Sequence, residues 1–143
     1  MYETVLLPTD GSERAAEALD HAIEAANAYG AELHIISVMD ERIMLAADAD
    51  EKSEVRSELA ENAEAAVETL ATSAANKDIS VRTATPEGVP YREILSYADD
   101  EGIDLIVIGT HGRTGREKRI NLGSTTERVV KSAEQPVLVV NIS

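Results

Sequence analysis

The chain predicts an α/β fold: a single-domain, open, five-stranded parallel sheet with helices on both faces, Rossmann-like, in the order βαβαβαβαβ. Three observations lead there. Short apolar runs alternate with segments whose apolar residues recur at helical spacing. The second run, Leu33 to Met39, is almost continuously apolar, as expected of a parallel strand covered on both faces. The connections are short and carry turn residues, so the crossovers are right-handed and one sheet results.

The first strand, Val5-Leu6-Leu7, stops at Pro8-Thr9-Asp10-Gly11-Ser12, with Ser12 placed to cap the helix that follows. Ala15, Ala18, Leu19, Ala22, Ile23 and Ala26 mark that helix, and Gly30 closes it. After the second strand, residues 40–54 are polar and acidic and read as a surface loop or frayed helix start. Val55, Leu59, Ala63, Ala66, Val67 and Leu70 define a long helix ending near Asn76. Ile79 to Thr85 alternates as the third strand, Pro86-Glu-Gly88-Val-Pro90 is a turn, and Tyr91, Ile94, Leu95 and Ala98 give a third helix. Leu105-Ile-Val-Ile108 is the fourth strand. A helix over roughly 124–133 and a last strand, Pro136–Asn141, complete the order. Residues 1–143 form one domain, with no internal repeat or linker.

Composition narrows the function. A chain of 143 residues buries roughly 70% of its extended surface. Phe, Trp and Cys are absent, so the core is aliphatic and thiolate chemistry is excluded. No leader pattern opens the chain and no apolar run reaches the ~18 residues of a membrane span, so a cytoplasmic, non-membrane protein is expected. The net charge of −14 argues against nucleic acid as a partner. That charge fits the high-salt cytoplasm of a halophilic archaeon, where screening relieves self-repulsion; an ordinary acidic protein is the alternative.

Against this background, residues 109–126 are conspicuous: Gly109-Thr-His-Gly112-Arg-Thr-Gly115-Arg-Glu-Lys-Arg-Ile-Asn-Leu-Gly123-Ser124-Thr125-Thr126. They run from a strand into a helix. Glycines allow close backbone approach, and Ser124, Thr125 and Thr126 place hydroxyls and first-turn N–H groups for an oxyanion. Arg113, Arg116, Lys118 and Arg119 lie in the same stretch. Ligands of such sheets bind beyond the carboxyl ends of the strands where strand order reverses. If the first and fourth strands are neighbours there, the loops Thr9–Ser12 and Gly109–Thr126 meet at one site for a phosphate, most simply a nucleotide's.

Over its whole length the chain resembles the nucleotide-binding type of universal stress protein. The resemblance rests on Val-Leu-Leu-Pro-Thr-Asp-Gly-Ser near the start, Val38-Met39-Asp40, Ile-Val-Ile-Gly-Thr-His-Gly-Arg-Thr-Gly, Gly-Ser-Thr-Thr-Glu-Arg-Val-Val, and the closing Pro-Val-Leu-Val-Val. The family's Gly-x2-Gly-x9-Gly-(Ser/Thr) pattern is met in kind, but ten residues separate Gly112 from Gly123. The resemblance implies ATP, carried with Mg²⁺ or Mn²⁺. It implies a nucleotide site of Pro8, Thr9, Asp10, Val38, Ile108, Gly109, His111, Gly112, Arg113, Gly123, Ser124 and Thr125. Asp10 would contact the ribose or metal, Val38 the adenine, and Gly123–Thr125 the phosphates. It also implies a homodimer, paired through the last strand Val137–Val140, with further protein partners unknown.

Each assignment has a plainer counterpart. Asp10 is also a normal turn residue, and Ser124 after Gly123 is an ordinary N-cap. The basic loop residues and the acids of 48–54 suit solvated surface, and His21 and His34 suit structural or solvent-facing roles. His111 is ligand-adjacent, with no carboxylate at short spacing to make it a base. The leading function is an ATP-binding, dimeric stress-response or signalling module with little or no turnover. The alternatives are a slow ATPase or phosphoryl- or nucleotidyl-transfer enzyme, and a nucleotide-free interaction dimer. No Gly-x4-Gly-Lys-(Ser/Thr) loop is present, so P-loop chemistry is excluded.

Overall fold

The structure, a computed structural model, describes residues 2–12, 15–110 and 123–141. In chain order the elements are β1 (Thr4–Pro8), α1 (Ala15–Tyr29), β2 (Glu32–Ile36), β3 (Met39–Asp40), α2 (Glu41–Ala46), α3 (Lys52–Ala75), β4 (Val81–Ala84), β5 (Glu87–Gly88), α4 (Pro90–Asp100), β6 (Leu105–Gly109), α5 (Ser124–Ser132) and β7 (Val137–Val140). Five strands form one parallel sheet in the order β4-β2-β1-β6-β7. The first and fourth long strands, β1 and β6, are therefore neighbours, as the sequence requires for a shared site.

Alternation along each strand sorts the core into two layers. Val5 and Leu7 on β1, Leu33 and Ile35 on β2, and Leu105 and Val107 on β6 pack with Leu19, Ala22, Val67 and Leu70 of α1 and α3. Leu6, Ile36, Ile106 and Ile108 face the other way, onto Ile94 and Ala98 of α4 and Val129 of α5. Leu6 and Ile106 are completely buried, each worth about 1.5–3 kcal/mol of transfer free energy. Helix α1 ends in a Schellman turn: Ala31 N–H donates to Ala26 C=O at 2.8 Å across Gly30, whose φ is +64°.

Two segments differ from the sequence expectation. The polar stretch after Met39 contains helix α2, capped by Asp40, whose carboxylate accepts the Arg42 N–H at 3.0 Å. The second strand does not run unbroken to Met39. Leu33, Ser37 and Met39 donate in turn to the carbonyls of Ser80, Ala84 and Pro86. The register is the same on both sides of the break, Ile36 facing Ala84 and Met39 facing Glu87. Pro86 stands where the ladder needs an N–H for the Ser37 carbonyl, and proline has none. The pair of runs reopens beyond it as the short β3–β5 ladder, so the supposed turn at 86–90 holds a strand instead.

His34 is 2% exposed and fully engaged. Its Nε2 lies 2.9 Å from the Glu32 carboxylate and its Nδ1 lies 2.7 Å from the Tyr97 hydroxyl, both at hydrogen-bond distance. It is structural, whereas His21 lies exposed on α1.

Candidate functional site

At the carboxyl ends of β1 and β6 the chain leaves the sheet toward opposite faces, to α1 and to α5. The space between is a cavity of about 460 Å³, a size suited to a small organic ligand. Of the residues expected at the site, Pro8, Thr9, Asp10, Val38, Ile108, Gly109, Ser124 and Thr125 all line it. Gly123 is buried and is not among the lining residues. His111, Gly112 and Arg113, together with Gly115, Arg116, Lys118 and Arg119, lie outside the described residues.

The loop after β1 is organised by its own side chains. Gly11 N–H donates to Thr9 Oγ1 at 3.1 Å, and Ser12 N–H donates to Asp10 Oδ1 at 2.9 Å. Asp10 thus serves as the turn residue while its exposed carboxylate borders the cavity. A turn bond and a place on the cavity wall coincide in this side chain.

Across the cavity, α5 begins differently from the sequence expectation. Gly123, with φ +88° and ψ 145°, is the N-cap, and Ser124 is the first helical residue rather than the cap. A side chain at 123 would strain that left-handed φ. The cap residue Gly123 has no side chain to offer this helix, and the first-turn N–H groups carry the positive end of the helix dipole. Thr126, 4% exposed, donates its hydroxyl to the Gly109 carbonyl at 2.8 Å and fixes the helix start to the strand end.

The other end of the cavity is apolar. Val38, Met39, Ile43, Leu59 and Ala63 come from the β2–β3 junction, α2 and α3. In this parallel arrangement Leu33, Ser37 and Met39 bond toward the β4–β5 run, and Ile36 bonds toward β1, its carbonyl accepting from Thr9 N–H at 2.8 Å. Val38 comes next on that second side. The first strand has by then turned away through Asp10 and Gly11, so the Val38 N–H and C=O point toward the space β1 has vacated.

Sequence reasoning misses Arg42 and Ile43, because 40–54 reads as a surface loop or frayed helix start. It also misses Leu59, Asn62, Ala63, Pro90 and Ile94, which register in the sequence only as helix-period or turn positions. Thr110 sits inside a quoted motif beside more obvious residues, and Thr126, read from the sequence as one of three hydroxyls for an oxyanion, lines the cavity too. Asp40 is a further lining residue. Its carboxyl is held below the usual carboxylate range, chiefly by the Arg42 guanidinium, which approaches to 2.7 Å, against an opposing effect of burial.

Among the described residues no group of three or more His, Cys, Asp or Glu side chains could hold a metal. Asp10 and Asp40 are the carboxylates among the described residues that line the cavity, so a divalent ion fits there only if a ligand's phosphates supply most of the coordination. Among the same residues no helix is long and apolar enough to cross a membrane.

This frame has close counterparts. Universal stress protein MJ0531 of Methanocaldococcus jannaschii is 41% identical over 98% of this chain and 82% of its own length. The solved structure of MJ0577, from the same organism, superposes with a TM-score of 0.86 at 36% identity, covering 100% of this chain and 98% of that one. A universal stress protein solved in complex with cAMP gives a TM-score of 0.76 at 28% identity, covering 99% of each chain. The sequence model of the Universal stress protein family matches residues 1–141, from before β1 to the end of β7. With sheet order, strand-end loops and sequence in agreement, this chain belongs to the universal stress protein family.

Proposed function

We propose that the cavity binds an adenine nucleotide, ATP before others, and that the protein is a dimeric stress-response or signalling module with little or no turnover. The observation that carries this reading is the cavity's two-ended chemistry. One end holds the start of α5 with the hydroxyls of Ser124 and Thr125, suited to phosphates. The other is apolar and lies beside the N–H and C=O of Val38, the donor and acceptor that an adenine edge complements. The relative solved with cAMP supports a nucleotide on this frame. Asp10 would contact the ribose or give one carboxylate to Mg²⁺ or Mn²⁺ carried in on the phosphates, where the ion would neutralise phosphate charge.

Dimerisation through β7 fits the two sheet edges. The β4 edge carries Arg82, paired with Glu32 at 3.4 Å, and charge protects an edge from pairing. The β7 edge is Val-Leu-Val-Val, with Leu138 42% exposed. The exposed acids Glu54, Glu58, Glu61, Glu64 and Glu68 along α3 fit a high-salt cytoplasm. On that reading the melting temperature rises as KCl is added.

The test of the nucleotide reading is to denature the purified protein and identify released nucleotide by chromatography and mass, then measure melting with and without ATP·Mg²⁺. Bound ATP or ADP, or stabilisation of about 2.7 kcal/mol at a hundredfold excess over Kd, supports the site. An empty protein with no shift overturns it and favours the nucleotide-free dimer.

A further inference from the structure

Two contacts fix where helix α3 passes the cavity. Near its start the Arg56 guanidinium meets the Glu87 carboxylate of β5 at 2.9 Å. Further along, the loop after β1 comes against it: a Cβ on Gly11, whose φ is +82°, would stand 3.2 Å from the Ala66 Cβ. Between these points α3 gives the cavity wall Leu59, Asn62 and Ala63. At about 1.5 Å of rise per residue, Asn62 lies about 4.5 Å along the helix beyond Leu59 and about 6 Å short of Ala66. Leu59 stands at the apolar end with Val38 and Ile43, and Ala66 marks the loop that carries Asp10. Asn62 therefore occupies the wall between the two. A nucleotide with its base beside Val38 and its phosphates at the start of α5 would bring its sugar to that stretch.

The Asn62 amide is also uncommitted. Thr9, Asp10, Asp40, Arg42 and Thr126, polar residues of the same cavity wall, are engaged in bonds inside the protein. Among the described residues nothing takes up the side chain of Asn62. It brings two N–H donors and a carbonyl acceptor to the cavity, whereas the Asp10 carboxylate can only accept. A sugar hydroxyl both donates and accepts, so it can donate to Asp10 while it accepts from the Asn62 amide. Charge points the same way. Glu58, Glu61 and Glu64, around it on α3, are exposed carboxylates, whereas the position on the cavity wall holds a neutral group that does not repel phosphates.

We propose that Asn62 binds a ribose hydroxyl together with Asp10, and that through it the site reads an intact ribose diol. This rests on the nucleotide reading of the cavity.

Titration calorimetry tests it with ATP, 2′-deoxy-ATP and 3′-deoxy-ATP, each with Mg²⁺. The proteins are the wild type, Asn62→Ala and the control Glu61→Ala, an exposed neighbour that does not line the cavity. Alanine suits an exposed helical position, so both variants should fold and melt like the wild type. The wild type should bind ATP about fivefold or more tighter than at least one deoxy analogue, the worth of one hydrogen bond. Asn62→Ala should lose that factor for ATP and bind the same analogue as the wild type does, so the preference disappears. Glu61→Ala should keep it. Equal losses for all three nucleotides, a preference that survives Asn62→Ala, or a wild type that binds all three alike would each overturn the role of Asn62 and leave the cavity reading standing. A wild type that binds none of them overturns both.

Discussion

The Thr126 hydroxyl donates to the Gly109 carbonyl at 2.8 Å, tying the first turn of α5 to the last residue of β6 across the segment that joins them. Gly109 and Ser124, which bracket that segment, both line the cavity, so this bond holds the start of α5 at a set distance from the sheet.

Thr126→Val keeps the shape and removes the donor. It leaves the Gly109 carbonyl without this bond at a buried point, which should cost about 1–3 kcal/mol in urea unfolding. Nucleotide affinity should fall beyond what the stability loss explains, since the α5 start is no longer held. Unchanged affinity in the folded variant would mean that the bond serves stability alone.

The Asp40 carboxyl is depressed by Arg42, so its sign with pH is defined. The charged form is favoured by folding, so its contribution is complete above the ordinary carboxylate value of 3.8. It is lost as pH falls through the depressed folded value. Asp40→Asn keeps an N-cap acceptor but not the charge. Its melting temperature should lie slightly below wild type at neutral pH, with the gap closing in acid. A gap that is constant with pH would assign the effect to capping geometry.

Two of the four tyrosines should titrate apart. Tyr91 is lowered, first by the Arg92 hydrogen bond and then by the charges of Arg92 and Arg128. Tyr97 is raised by burial, with a smaller part from the Glu101 charge. For Tyr97 the neutral phenol is favoured by folding, so its contribution is present below the ordinary phenol value and is lost as pH rises through the folded one. Phenolate absorbance against pH should show an early phase removed by Tyr91→Phe and a late phase removed by Tyr97→Phe. A single uniform transition in all three proteins would contradict both environments.

Leu138→Lys places a charge on the β7 edge at a position already 42% exposed, so the fold should tolerate it. If two copies pair through β7, sedimentation should show the dimer weakened about tenfold or more, with the monomer's melting little changed. An unaltered association constant would place the contact elsewhere.

How much of this was legible in the sequence follows from which forces act locally. The strand runs at Val5–Leu7 and Leu105–Ile108 and the α1 stripe announce themselves because burial needs apolar side chains at fixed periods. The β1–β6 adjacency enters the sequence reading only as the condition for the Asp10 and Ser124 loops to meet, and the observed strand order meets it. Helix α2 was not legible: it is six residues long, its apolar Ile43–Ala46 run consecutively and none is buried, so no periodic stripe marks a face, and it depends on the Asp40 cap and on its place against α3. The break at Ser37 was hidden for another reason. It is set by Pro86, far along the chain, and only the register brings the two positions face to face. The contributions of Leu59 and Asn62 were likewise invisible, because helical period reveals which residues are apolar but not which space they border.

Pro86 shapes the site by subtraction. It withholds one hydrogen atom from the ladder beside Val38, while the first strand departs on Val38's other side. The peptide at that point is thus held by its neighbours, Ser37 and Met39, through bonds of 3.1 Å and 2.8 Å. Pro86→Ala would return an N–H and let the two runs pair continuously from Leu33 to Asp40. The sheet would gain a hydrogen bond, and the wall of the cavity would become ordinary strand. In this architecture a cavity opens where the sheet is prevented from completing itself.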